Sequence, residues 1–339
     1  MGIRNAMLGA LLLTLPALTV QAGPTFDAVR ARGSLICGVS TGVSGFSSPD
    51  NAGRWSGIDT DVCRAIAAAM FGDSGKVRFV PLSPQQRFTA VQSGEVDLLS
   101  RNTTWSMGRD TQVGLNFGPV VFYDGQAFMV RKDLGVQSAR QLDGATICVQ
   151  PGTTTEQNLA DYFRRSGISF QPVVIEAFDE INAAFFAGRC DAYTTDASGL
   201  AGVRATLARN PEDYVILPER ISKEPLAPAV RQGDDQWFDL VGWTVRALIE
   251  AEELGLTAAN IDQHMNSPDP RVQRFLGVTG DLGKALGVDN RWAYTIVKQV
   301  GNYGEIFERN LGRSSPLRLE RGQNALWTEG GLMYAPPIR

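Results

Sequence analysis

Glu95-Val96-Asp97-Leu98-Leu99-Ser100-Arg101-Asn102-Thr103-Thr104-Trp105-Ser106-Met107-Gly108-Arg109-Asp110 opens as a short apolar run, the pattern of a buried strand. It then breaks into a polar loop of Asn and Thr and lands on an arginine. A strand, a polar loop and a planar cation together can build an anion clamp at the carboxyl end of a sheet strand. The same residues also fit a surface loop with a solvated arginine, and taken alone they favour that plainer reading. Trp105 fits either a pocket wall or simple packing. The choice depends on what the rest of the chain places beside this stretch.

Working outward, the pattern predicts a helix over 25–32 stopped by Gly33, a buried strand over 34–39, and a small polar loop over 40–48. Gly57-Ile58-Asp59-Thr60-Asp61-Val62 opens a helix with two acids in its first turn, favourable for the helix dipole. A strand over 77–81 and a helix over 85–93 lead into the opening stretch. The segment 115–123 and a strand over 127–131 follow it. This alternation predicts a mostly parallel sheet covered by helices on both faces. The rhythm restarts with a strand over 145–150, a helix from Gly152 to about 166, and a strand over 173–176. A helix over 179–187 and a strand over 191–194, ending at Asp196, complete it. A helix to 209 and a strand over 215–218 come next. Two α/β lobes in tandem result. A return connection at 225–230 precedes a long amphipathic helix over 236–253. The remainder is helical, and its aromatics Trp292, Tyr303, Phe307, Trp327 and Tyr334 read as core.

With 339 residues, the chain is long enough for two domains. Its 43% hydrophobic and 20% charged residues are ordinary for a globular protein, and a formal charge of −4 argues against a nucleic-acid partner. Beyond the N-terminus no apolar run reaches the roughly 18 residues of a spanning helix. The N-terminus has Arg4, an apolar core over 7–18 and the small-residue exit Val20-Gln21-Ala22, the anatomy of a cleaved signal peptide with a mature start near Gly23.

Export gives meaning to Cys37, Cys63, Cys148 and Cys190. None are spaced as CxxC and the chain has one histidine, His264, so neither a zinc site nor another metal or cofactor is expected. Four cysteines allow three connectivities, among which sequence does not choose. We expect Cys37–Cys63 and Cys148–Cys190, since each pair would staple a local segment inside one lobe.

Three loops leave the carboxyl ends of predicted strands, where open α/β sheets bind ligands. The first runs from Asn102 to Arg109. The second, Gly152-Thr153-Thr154-Thr155, offers hydroxyls and free N–H groups at a helix start, although Thr153 with Glu156 is also a capping box. The third ends at Asp196, which is equally suited to cap the following helix. A cation with a helix start would hold a carboxylate, and a nearby acid would hold an ammonium. A free amino acid supplies both partners at once.

Gly57-Ile58-Asp59-Thr60-Asp61-Val62 followed by Ile66-Ala67 resembles the signature of the polar amino-acid-binding proteins of bacterial ABC importers. The loop to Arg109, the Gly152-Thr153-Thr154 turn and the segment from Asp191 to Asp196 follow in the family's order. Over its length the chain resembles the larger general L-amino-acid-binding branch. The resemblance implies a type II periplasmic-binding-protein fold, two lobes joined by a two-strand hinge. It implies a signal peptide over 1–22, a first lobe over 23–123, a second over 124–227, and a return to the first with a helical extension over 228–339. Arg109 would clamp the α-carboxylate, helped by Thr104 and by Thr154 with its backbone, with Thr153 beside them in the site. Asp196 and the backbone near Asn102 would take the ammonium. Where basic-amino-acid members carry an acid and an aromatic after the first strand, this chain has Ser40 and Val43, and near Pro84 another covering aromatic is replaced. Those departures suit a broad pocket including polar and acidic ligands. A periplasmic monomer that delivers free L-amino acids to an inner-membrane permease is the expected function.

An exported enzyme on the same scaffold, dehydratase-like and acting on a small carboxylate, is the alternative. It would need a general acid or base facing the ligand. Glu156 and Asp110 are the available acids, and both read more simply as helix-start residues.

Overall fold

The computed structural model of the protein describes residues 23–339, so the expected signal peptide lies outside the described residues. The strands of the two main sheets and of the passes between them, in chain order, are β1 (Leu35–Val39), β2 (Val77–Pro81), β3 (Leu98–Leu99), β4 (Leu115–Phe117), β5 (Phe122–Asp124) and β6 (Gln126–Arg131). They continue with β7 (Thr146–Val149), β8 (Gln171–Val174), β9 (Ala192–Asp196), β10 (Tyr214–Ile216), β11 (Glu224–Leu226) and β12 (Ala229–Arg231). The first eight α-helices are α1 (Pro24–Arg32), α2 (Ile58–Phe71), α3 (Arg87–Ser93), α4 (Met107–Gln112), α5 (Thr154–Ser166), α6 (Phe178–Phe186), α7 (Ala197–Thr206) and α8 (Asp235–Glu253).

Two five-stranded sheets form, in the orders β2-β1-β3-β12-β4 and β8-β7-β9-β6-β10. They are one design used twice. In each, the fourth strand listed runs antiparallel to both neighbours, which an expectation of a mostly parallel sheet does not foresee. The reason is the route of the chain. Parallel strands run toward the cleft between the lobes, and the chain also changes lobes there. The first strand after each crossing, β6 or β12, must therefore run away from the cleft.

The crossings are β5 and β11, paired antiparallel with Glu224 opposite Asp124 and Leu226 opposite Phe122. The expected single segment over 115–123 is thus two strands, β4 in a sheet and β5 between lobes. Gly125 follows β5, and a Cβ there would lie 2.9 Å from the Ser222 carbonyl oxygen. The two passes can approach only because that Cβ is missing.

Alternating side chains fill both faces of the second sheet. On β6, Ala127 and Met129 join a cluster with Ile181, Phe185 and Tyr193, while Phe128 and Val130 join one with Leu159 and Phe163. In the first lobe the main core runs from Cys37 and Ile66 through Trp237 and Leu248 to Trp292, Tyr303 and Phe307. Those three aromatics are core, as expected. Trp327 and Tyr334 instead sit on the surface, 49% and 59% exposed, packed edge-on against each other.

The C-terminal extension is fastened to the first lobe by ion pairs. Asp61 of α2, nearly buried, accepts from Arg309 and Asn310 at 2.8 and 2.7 Å and from Arg64 at 2.9 Å. The extension also reaches β5: the Asn324 amide accepts from the Tyr123 N–H at 2.7 Å and donates to its carbonyl at 3.1 Å.

Cys37–Cys63 ties β1 to α2, and Cys148–Cys190 ties β7 to the turn before β9, so each disulfide lies within one lobe. The sequence separations of 26 and 42 residues correspond to about 3.5 and 4 kcal/mol of chain-entropy stabilisation. Replacing Cys148 and Cys190 by Ala should lower the unfolding free energy by up to about 4 kcal/mol in guanidinium titrations, and ligand affinity should change little. A large loss of affinity with unchanged stability would contradict a purely local staple.

Candidate functional site

The loop that leaves β3 is held from below by α2. Asp59 accepts from the Asn102 N–H at 2.8 Å and from the Ser100 hydroxyl at 3.4 Å. This pins Asn102 at φ 34°, a left-handed conformation that Asn tolerates better than most residues. Burial pushes the Asp59 carboxyl up to about 7, against the pull of the Asn102 N–H and the Arg101 charge. Gly57 at φ 128° lets α2 start under Phe46, where a Cβ would sit 2.0 Å from the Phe46 carbonyl oxygen. In Gly57-Ile58-Asp59-Thr60-Asp61-Val62, glycine therefore permits a close approach, Asp59 holds the loop, and Asp61 holds the C-terminal extension.

Beyond the loop, Ser106 caps α4, which lies within the stretch expected to be loop, and Arg109 stands in its first turn. Its guanidinium donates to the Thr104 carbonyl at 3.0 Å and lies 5.2 Å from the Phe88 ring centre. Burial lowers its pKa, and the Glu224 and Asp196 carboxylates oppose that shift. Two further arginines line the same cavity. Arg101 donates through Nε to the Leu82 carbonyl at 2.9 Å, and burial lowers its pKa to about 10. Arg87, at the start of α3, donates across the cleft to the Gly152 carbonyl at 3.2 Å, and its buried Nε has no protein partner. Its pKa is driven down first by burial, then by the Arg101 and Arg109 charges.

Asp196 closes the opposite wall. Although it precedes α7, its side chain makes no capping bond. That role falls to Asp124 of β5, whose carboxylate accepts from the Ser198 N–H at 3.3 Å and from the Ser198 hydroxyl. The Asp196 carboxylate is left facing the cavity. Burial, then the neighbouring Asp124 and Glu224 carboxylates, push its pKa well above the usual range, while Arg87 and Arg109 pull the other way.

The remaining expected residues divide. Asn102, Thr104, Thr153 and Thr154 line the cavity with Arg109 and Asp196. The Thr153 hydroxyl is occupied as the cap of α5, accepting from the Glu156 N–H at 3.0 Å, and Glu156 itself accepts from the Gly152 N–H at 2.9 Å. The Asn102 N–H is spent on Asp59, so that group is not free for a ligand. Ser40 is outside the cavity lining, with its hydroxyl turned to Ser47. The neighbouring Val43 does line the cavity, as do Pro84, Phe46 and Phe178. Trp105 stacks on Phe117 at 6.2 Å, 41% exposed, and is packing rather than wall.

Sequence reasoning missed Arg87, Arg101 and the carboxylates Asp124 and Glu224. Arg101 lies within the opening stretch, and its position directly after a buried strand was the available signal. Arg87, an arginine at a helix start, has none.

The two lobes touch around this cavity. Ser83 meets Glu176, Ser44 meets Thr206 at 2.9 Å, and the Thr104 and Thr154 hydroxyls are 3.3 Å apart. The arrangement can hold a small ion-bearing molecule that presents a carboxylate to one wall and an ammonium to the other.

Comparison with known proteins agrees with this geometry. Residues 35–259 match the family of bacterial extracellular solute-binding proteins, family 3. The chain is 58% identical over 337 residues to the general L-amino acid-binding periplasmic protein AapJ of Rhizobium johnstonii, covering 99% of this chain and 98% of that protein. It is 52% identical over 337 residues to the glutamate/glutamine/aspartate/asparagine-binding protein BztA of Rhodobacter capsulatus, covering 99% of both. Among solved structures, an ABC transporter periplasmic binding protein from Brucella ovis with glutathione bound superposes with a TM-score of 0.91 at 55% identity, over 93% of this chain and 99% of that one. With two α/β lobes around a charged cleft and this similarity along its length, the chain belongs to the bacterial extracellular solute-binding proteins of family 3.

Proposed function

We propose that this protein captures free L-amino acids in the cleft outside the inner membrane and hands them to an ABC permease. The observation that carries this is the pairing of three arginines, Arg87, Arg101 and Arg109, with one uncommitted carboxylate, Asp196, around one cavity between the lobes. On this reading the protein is an exported monomer cleaved near Ala22. Its first lobe spans 23–123 and 228–339, its second 124–227. Ligand bridges the lobes, and its contacts to both favour the closed state.

Arg109 takes the α-carboxylate with the free N–H groups at the start of α5, and Asp196 takes the ammonium. Of the charged side chains lining the cavity, three are positive and one negative. Behind the lining the Glu224 and Asp59 carboxylates offset part of that excess, and a second carboxylate on the ligand would meet more of it. Arg87, with its unpartnered Nε, is the residue placed to meet that second carboxylate. The site therefore favours acidic amino acids within a broad range. The names of two relatives, a general L-amino-acid binder and a glutamate, glutamine, aspartate and asparagine binder, support that breadth. The glutathione in the Brucella ovis relative is compatible as well, because its γ-glutamyl end carries the same α-carboxylate and ammonium. The enzyme alternative has little to draw on. Glu156 is bonded at a helix start, and His264 lies in the turn Ile261–His264, outside the cavity lining.

A thermal-shift panel of amino acids and glutathione on unfolded and refolded mature protein tests the function. A binder at a hundredfold excess over its Kd should add roughly 2.7 kcal/mol of stability. No shift with any of them, with turnover of a related carboxylate, would favour an enzyme. Arg109→Ala should weaken every amino acid about a hundredfold or more, and Arg109→Lys should also bind poorly because an ammonium cannot form the bidentate fork. Normal binding by either variant would contradict the clamp. Arg87→Met should weaken glutamate at least tenfold more than leucine, on the scale of one charge-assisted hydrogen bond, and equal losses would remove the acidic preference from Arg87.

Asp196 also predicts a pH effect. Among the protein groups alone its pKa is raised, and an ammonium beside it would lower it again. Binding then releases protons at pH values between the liganded and empty pKa, and affinity rises with pH across that window. Calorimetry in two buffers of different ionisation enthalpy should show release of up to about one proton per ligand, abolished in Asp196→Asn. Proton uptake, or the same release from both proteins, would rule this assignment out.

A further inference from the structure

Strand β11, which returns the chain to the first lobe, begins at Glu224, a side chain only 1% exposed. Its carboxylate accepts four hydrogen bonds. Oε1 takes the Asn158 amide at 2.8 Å and the Ser222 hydroxyl at 2.5 Å. Oε2 takes the Thr154 hydroxyl at 2.8 Å and the Thr104 hydroxyl. Thr104 belongs to the loop of the first lobe and Thr154 to the first turn of α5 in the second. A single oxygen on the crossover thus gathers one hydroxyl from each side of the cleft.

A hydroxyl has one proton to give. Donated to Glu224, it is withheld from anything in the cavity. Thr104 and Thr154 line the cavity nonetheless, and what their hydroxyls can offer a ligand there is lone pairs. Lone pairs can accept from an ammonium but cannot donate to a carboxylate. The expected help of these hydroxyls to the α-carboxylate is therefore not available while Glu224 holds their protons.

We infer that Glu224 is a positioning residue that makes the Thr104 and Thr154 hydroxyls acceptors for the ligand ammonium, and so sets the preference for amino acids over their deaminated analogues. This rests on the reading of the cleft as an amino-acid site. Asp196 supplies the charge for the ammonium, and the two hydroxyls supply further acceptors, one from each lobe. Because Glu224 sits on the crossover, the two acceptors come together only when both lobes are drawn against it.

The test is Glu224→Gln. The new amide can keep an oxygen toward Asn158, whose N–H needs an acceptor, only by turning its NH₂ toward the threonines. That NH₂ then donates to the hydroxyls and frees their protons for the cavity. Glutamate and glutarate, which differ by the amine, are titrated by calorimetry into wild-type and variant protein. The glutamate-to-glutarate affinity ratio should fall by about tenfold or more in Glu224→Gln, with glutarate affinity held or improved. A ratio equal to that of wild type, including an equal loss of both ligands, would overturn the inference, since a merely structural role would weaken both alike. Thr154→Val serves where Glu224→Gln fails to fold. It removes one acceptor and should lower the same ratio, and an unchanged ratio there is equally fatal. A wild-type protein that binds no amino acid overturns the function itself and the inference with it. A wild-type protein that binds glutamate, beside variants with an unchanged ratio, overturns only the role of Glu224.

Discussion

The cleft depends on the place where the chain changes lobes. β5 and β11 run side by side there, and the acids on them, Asp124 and Glu224, face each other in register. Each is buried, and a buried carboxylate is costly unless donors surround it. The donors they recruit define the site. Asp124 takes the start of α7 through Ser198, which frees Asp196 from capping. Glu224 takes Thr104 and Thr154 from the two walls. The crossover is thereby part of the polar wall of the cavity as well as the link between the lobes.

The loop carrying the arginines is fastened on two sides. From α2, Asp59 holds the backbone at Asn102. From β11, the Pro225 carbonyl accepts from the Trp105 N–H at 2.8 Å and the Ala227 N–H donates to Thr103 at 3.0 Å. The loop is thus anchored both to the core of its own lobe and to the crossover.

Charge inside the cleft is balanced at a distance. Burial lowers the pKa of Arg87, Arg101 and Arg109, the Arg109 charge presses further on the other two and the Arg101 charge on Arg87, while Asp196 offsets all three, joined by Glu224 at Arg87 and Arg109 and by Asp59 at Arg101. Each arginine spends one N–H on a backbone carbonyl, Gly152, Leu82 or Thr104. These bonds orient the guanidinium planes before any ligand arrives, and orientation prepaid in this way costs a ligand less entropy on binding.

Local pattern was enough to reveal the alternation of strands and helices, the two lobes, and the loops at strand ends, because apolar periodicity and glycine stops report directly on which face is buried. The signature from Gly57 to Val62 was legible as a family mark, but the separate duties of Asp59 and Asp61 were not, since their partners lie at Asn102 and Arg309, far along the chain. Asp196 as cap or as free carboxylate could not be decided locally either. The answer rests on Asp124, which competes for the same helix start from 72 residues earlier and from the other side of Gly125. Arg87 looked like any arginine at a helix start until the lobes met and placed it against Gly152. Elements and lobes follow from short-range patterning, and sequence alone determined them. Which polar groups are spent on the scaffold and which remain for a ligand depends on partners brought together by the crossover, and only the tertiary structure decided that.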